Sequence, residues 1–149
     1  MTPIPRGPLL LGLAGLMPFL WGIITLYSPW GFSLTMSMLG PRFVAPFVML
    51  SYGSIILSFM AGVLWGFATR ARQAAWIYYA LSVIPALWAF LLVGDGPISS
   101  ARYLIAGFIG LLGLDWLFWS QKLTPPWWLH LRILLTGVVV VCLAVVALG

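Results

Sequence analysis

Residues 44–68 read VAPFVMLSYGSIILSFMAGVLWGFA, and no charged side chain interrupts them. As an α-helix this run extends about 37 Å, enough to cross the roughly 30 Å hydrocarbon core of a bilayer. Within it Ser54, Ser58, Gly62 and Gly66 recur at every fourth position, and that spacing keeps them on one helix face. In lipid, apolar side chains gain little by meeting each other, whereas small residues let two backbones approach and pack by dispersion. The ladder therefore predicts a helix-packing interface, either inside the bundle or against a second copy or a partner subunit. Gly107, Gly110 and Gly113 offer a matching groove.

Four more apolar segments surround this one, at 8–27, 74–93, 101–119 and 126–148. Each is near the length of a membrane crossing. No stretch is long or polar enough for a second domain, so 1–149 reads as a single transmembrane domain. The expected fold is an all-α integral membrane protein, a compact bundle of five transmembrane helices. Composition agrees: 63% of residues are hydrophobic and 6% charged, against roughly 45–50% and about 25% in soluble domains. Seven basic and two acidic side chains cannot cover a soluble exterior. Membrane lipids are thus the expected surroundings, and nucleic acid is excluded as a partner because no phosphate-neutralising surface exists. Arg6 followed by a long apolar run resembles a signal peptide, but no small-residue cleavage site follows Tyr27, so the first helix is expected to be retained.

The cations set the orientation. With alternating sides, Arg6, Arg70, Arg72, Lys122 and Arg132 share one face of the membrane, and Arg42 and Arg102 the other. Basic residues concentrate on the cytoplasmic side, which places the N-terminus in the cytoplasm and the C-terminus in the periplasm of a bacterial inner membrane. Trp76, Trp116, Trp119, Trp127 and Trp128 fall toward the same boundary, where indole rings settle. Between segments, Gly94-Asp95-Gly96-Pro97 is a turn by composition, with Ser99 or Ser100 as a helix cap. Thr124-Pro125 suits the start of the last helix, with Thr as cap and Pro in the first turn. Residues 28–42, with Trp30, Phe32 and Met36, suit a segment lying flat in the interface.

Little here can carry chemistry. Asp115 is the one carboxylate inside an apolar segment, too short to reach the interface and costly to bury alone. Asp115 and Arg132 are equidistant from a turn centred between Leu123 and Thr124, so a helical hairpin puts them at one depth. The guanidinium fork suits a carboxylate, and a structural ion pair between them is the expected arrangement. His130 lies about 200° around the helix from Arg132 and cannot serve Asp115 equally well. One His and one Cys (Cys142) leave no metal site and no disulfide. Ser51, Ser54 and Ser58 have no base beside them. No catalytic residue, cofactor or metal is therefore expected. Pro18 and Pro85 each free a carbonyl four residues earlier, on Ala14 and Leu81, with Ser82 a candidate donor. Kinks there can open a pocket for a flat apolar ligand among Trp21, Tyr52, Trp65 and Trp88.

Three stretches are similar to a known family. Ser51-Tyr52-Gly53-Ser54 through Ala61-Gly62-Val63-Leu64-Trp65-Gly66 resembles a signature of the DUF3429 family, whose animal relatives include the transmembrane protein 69 group. Pro126-Trp127-Trp128-Leu129-His130-Leu131-Arg132 through Thr136 resembles its second signature, and Gly12-Leu13-Ala14-Gly15-Leu16-Met17-Pro18-Phe19 also fits. The sequence departs from the pattern at Leu64, where relatives carry a His or similar polar residue. The resemblance implies a proteobacterial or mitochondrial membrane and no defined activity. Together these readings describe a non-enzymatic accessory, structural or assembly subunit of a larger respiratory or photosynthetic membrane complex, partnered by other subunits or by its own copies. A binder or carrier of lipid, quinone or tetrapyrrole is the alternative.

Overall fold

A computed structural model describes residues 3–149. The described chain folds as α1 (Arg6–Ala14), α2 (Met17–Tyr27), α3 (Pro29–Met38), a 3-10 turn (Pro41–Phe43), α4 (Phe47–Arg70), α5 (Trp76–Leu92), α6 (Pro97–Ser120) and α7 (Trp128–Leu148). Four helical stretches are long and apolar enough to cross a membrane: Arg6–Tyr27, Phe47–Arg70, Pro97–Ser120 and Trp128–Leu148. With 17 residues, α5 is shorter. It extends about 25 Å, the lower limit for a crossing. Extended backbone at Ala75 and Val93 bounds it on both sides.

The pairs α4–α5 and α6–α7 pack most extensively, α4 and α5 both rest on α6, α2 lies on α4, and α1 leans on α7. Phe19, Leu57, Leu64, Leu104, Phe108 and Leu143 form the fully enclosed centre. Leu64 is part of that apolar centre, where a polar side chain would need a partner. Gly107 leaves room for side chains from two neighbouring helices: a Cβ there would stand 2.8 Å from Leu57 and 3.0 Å from Trp88.

Several local features differ from the sequence expectations. The segment 8–27 is not one kinked helix but two helices. Pro18 has no N–H for the Ala14 carbonyl, so α1 ends at Ala14, Gly15 and Leu16 bond back to Leu11 and Leu13, and Pro18 enters the first turn of α2. Pro85, by contrast, stays inside a continuous α5. Ser82 donates to the Tyr79 carbonyl at 2.7 Å rather than to Leu81. Residues 29–38 form a true helix, started by the Ser28 hydroxyl accepting from Gly31 N–H at 3.1 Å and by Pro29 at its first position. Thr25 then ties the following connection to α2, accepting from Ala45 N–H at 3.0 Å while donating to the Gly22 carbonyl.

Neither Ser99 nor Ser100 caps α6. Gly96 holds the cap position at φ 153°, and Ser100 instead accepts from Gly94 N–H at 3.0 Å, closing the turn. Thr124 does not cap α7 either. Residues 125–127 complete a turn of their own, and the helix begins at Trp128.

The two glycines of the α4 ladder close no seam within the bundle, while Ser54 and Ser58 are half-buried. The inward face is Gly53, Leu57, Ala61, Leu64 and Ala68, whereas Cβ atoms added at Gly62 or Gly66 would meet nothing within 4 Å. The same holds for Gly110 and Gly113. The four-residue spacing keeps the small residues on one side of α4, and the face beside it, with Leu57 and Leu64, is the one enclosed.

At the end of α6, Leu123 N–H bonds the Phe118 carbonyl and Lys122 N–H bonds that of Trp119. This is a Schellman closure. Its left-handed position, usually glycine, is Lys122 at φ 60°. Replacing Lys122 by Gly removes the Cβ strain and should stabilise the protein by about 0.5–1 kcal/mol. Thermal unfolding in detergent, read from exposure of the buried thiol of Cys142, measures this as a raised Tm.

Candidate functional site

The α6–α7 hairpin brings two charges together inside the protein. Asp115 is 0% exposed and Arg132 3% exposed. Arg132 Nε donates to Asp115 Oδ2 at 2.9 Å, and Trp128 Nε1 donates to Oδ1 at 2.9 Å. The guanidinium fork is therefore not used in full: the indole occupies the second carboxylate oxygen. The Trp128 ring is fixed in turn by Phe67, edge-on at 4.9 Å, and lies 6.0 Å from the Arg132 guanidinium carbon.

Satisfying Asp115 in this way leaves other groups unsatisfied. Arg132 Nη2 and Thr136 Oγ1 are buried and have no hydrogen-bond partner. Buried donors without partners are uncommon in native structures and mark places where something else supplies the acceptor. Trp128, Arg132 and Thr136 sit at successive four-residue steps of α7, one above another on a single face. That face borders a cavity of about 420 Å³ between α1, α2, α4, α6 and α7. Arg132, Thr136, Trp128 and the hydroxyl-bearing Tyr52 are its polar members; Gly12, Phe19, Met60, Phe108 and Leu135 represent the apolar rest. Tyr52 adds a ring to the wall, edge-on to Phe19 at 5.4 Å. Leu11 and Phe59, also in the lining, are 76% and 65% exposed, so the cavity opens sideways through the flank of the bundle.

The four aromatic residues expected to share a pocket do not meet. Tyr52 alone lines this cavity. Trp21 borders an open groove of about 490 Å³ with Pro18, Leu39 and Phe43. Trp88 donates to the Tyr103 carbonyl at 2.7 Å and borders a recess of about 280 Å³ beside Pro85 and Gly107. Trp65 packs edge-on against Tyr79 at 4.9 Å. Phe19 meets Tyr52, and Trp21, two positions later, lies about 200° around α2 from it, while the Trp88 indole is bonded to α6. His130 Nδ1 is buried without a partner, and the imidazole makes no bond to Asp115. Among the described residues no three His, Cys, Asp or Glu side chains are grouped to hold a metal ion.

Sequence reasoning missed Trp128 and Thr136 as site residues. The four-residue steps from Trp128 to Thr136 were the available signal, since any helix placing Arg132 inward also places those two there.

The family described as a protein of unknown function (DUF3429) matches residues 4–148. Transmembrane protein 69 of Xenopus tropicalis is 35% identical over 142 residues, covering 91% of this chain and 51% of that protein. The chain thus spans about half the length of this curated relative. No solved structure matches the chain.

The ion pair yields a direct test. Replacing Asp115 by Asn or Arg132 by Met leaves the other partner buried without its counter-charge, and each should cost about 3–5 kcal/mol. The double variant removes both charges and should lose clearly less than the sum of the two. Thermal unfolding of all four proteins in one detergent gives the coupling; strictly additive losses contradict a direct pair.

Proposed function

The chain belongs to the DUF3429 family, of unknown function, and from that premise we propose that it is a non-enzymatic membrane protein that holds a small apolar ligand inside its helical bundle. One observation carries this reading: a cavity open on the bundle's flank is lined on α7 by Arg132 and Thr136, each of which keeps a buried polar atom without a hydrogen-bond partner. A cavity of about 420 Å³ lies within the range of small-molecule sites, which combine apolar walls with a few placed polar groups.

We further propose that the protein resides in a bacterial inner membrane with five crossings, α5 being the short one. Arg132 is taken up by Asp115 and no longer counts toward orientation. Arg6, Arg70, Arg72 and Lys122 still outweigh Arg42 and Arg102, which supports a cytoplasmic N-terminus and a periplasmic C-terminus. A reporter fused after Gly149 should then show alkaline phosphatase activity and no green fluorescence; the reverse pattern contradicts a periplasmic C-terminus.

A second reading has its own support. Ser54, Ser58, Gly62 and Gly66 form a small-residue strip on α4, with open space beside both glycines. Such a strip suits close helix packing in lipid, by another copy or by a larger membrane complex for which this chain is an accessory or assembly subunit. Purification from native membranes in mild detergent separates the readings. A near-stoichiometric apolar compound in the organic extract of the isolated chain supports ligand binding. A stoichiometric large partner with an empty extract supports the subunit reading instead.

A further inference from the structure

We infer that the inner end of the cavity accepts the oxygen of an uncharged carbonyl carried on an apolar body, and discriminates against carboxylates and other anions; this rests on the ligand-binding reading above.

Three observations lead there. First, the unmet groups are donors. Both oxygens of Asp115 are engaged, by Arg132 Nε and Trp128 Nε1, so the remaining Nη2 of Arg132 can only donate. The Thr136 hydroxyl, one turn further along α7, has no partner either and can also donate. The missing group is therefore an acceptor. Second, the charge is already balanced. Arg132 is the one charged side chain in the cavity lining, and Asp115 neutralises it at 2.9 Å. An incoming anion would add an uncompensated negative charge in a low-dielectric space, whereas a carbonyl oxygen uses the donors without altering the balance. Third, the approach is apolar. Leu11 and Phe59 stand at the open side, and Phe19 with Phe108, edge-on at 6.5 Å, lies further in. A molecule dissolved in the acyl region can enter sideways with its carbonyl leading. The shared chemistry is the neutral carbonyl, which a lipid-type ester or a quinone can supply.

A matched set of probes tests this on the full chain in dodecyl maltoside: methyl 4-decylbenzoate, 2-decyl-1,4-benzoquinone, decylbenzene and 4-decylbenzoate. They share a ring and tail and differ in the polar end. Affinity is read from saturable thermal stabilisation. The two neutral carbonyl probes should bind about tenfold more tightly than decylbenzene, as one hydrogen bond from a charged donor provides. The carboxylate should bind more weakly than either. Which neutral probe binds better identifies the source, ester or quinone. Thr136→Val, which keeps the side chain's size, should weaken the carbonyl probes about threefold and leave decylbenzene unchanged, provided its Tm matches wild type. Should that variant unfold, the wild-type ranking decides alone. Equal affinity for decylbenzene and the carbonyl probes, as when a bound water satisfies the donors, overturns the inference while ligand binding stands. Tightest binding by 4-decylbenzoate overturns it too. If none of the four saturates, the ligand-binding reading falls with it.

Discussion

A carboxylate with no access to solvent has to be answered by its neighbours, and around Asp115 much of the hairpin's geometry is given over to that. The residue lies fully enclosed in α6, and both its partners come from the first turns of α7. Burying one charge without the other costs several kcal/mol, so the register between the two helices is fixed more sharply here than apolar packing would fix it. The link runs on to α4 through Phe67, which holds the Trp128 ring from the other side. One acid thereby relates three helices, in a bundle whose other contacts are mostly apolar and thus less demanding of register.

The same arrangement explains why the bundle is not sealed. Had the guanidinium met the carboxylate with its full fork, fewer donors would remain for anything else. Arg132 is held by a single bond through Nε, the Trp128 indole bonds the other oxygen, and Nη2 stays unpaired. The ion pair and the unpaired nitrogen in the cavity-lining residue Arg132 thus belong to one geometry.

How much of this was legible beforehand depended on the kind of argument used. Composition alone gave the helical membrane character. Depth was legible from symmetry: Asp115 and Arg132 lie equally far from the turn at 123–124, and the structure has them 2.9 Å apart. Facing was harder. Trp21, Tyr52, Trp65 and Trp88 suit one pocket by depth, but Trp21 lies on the side of α2 away from Phe19, which meets Tyr52, and the Trp88 indole is captured by the Tyr103 carbonyl. The α4 ladder identified a face correctly but not which way it points, because periodicity specifies neighbours on a helix and leaves its rotation open. Caps were misplaced for a related reason: glycine at Gly96 and the turn at 125–127 met backbone needs that Ser99, Ser100 and Thr124 were equally able to meet on paper.

That rotation of α4 has an effect of its own. Ala61 sits in the enclosed centre while Gly62, one position later, borders open space. Two adjacent small residues thus answer to different constraints: at 61 the limit on side-chain size is set by the rest of this chain, and at 62 by whatever the surrounding membrane brings alongside. A systematic enlargement of side chains along the helix would separate these two influences position by position, giving a record of the molecule's interior and of its neighbours from a single stretch of sequence.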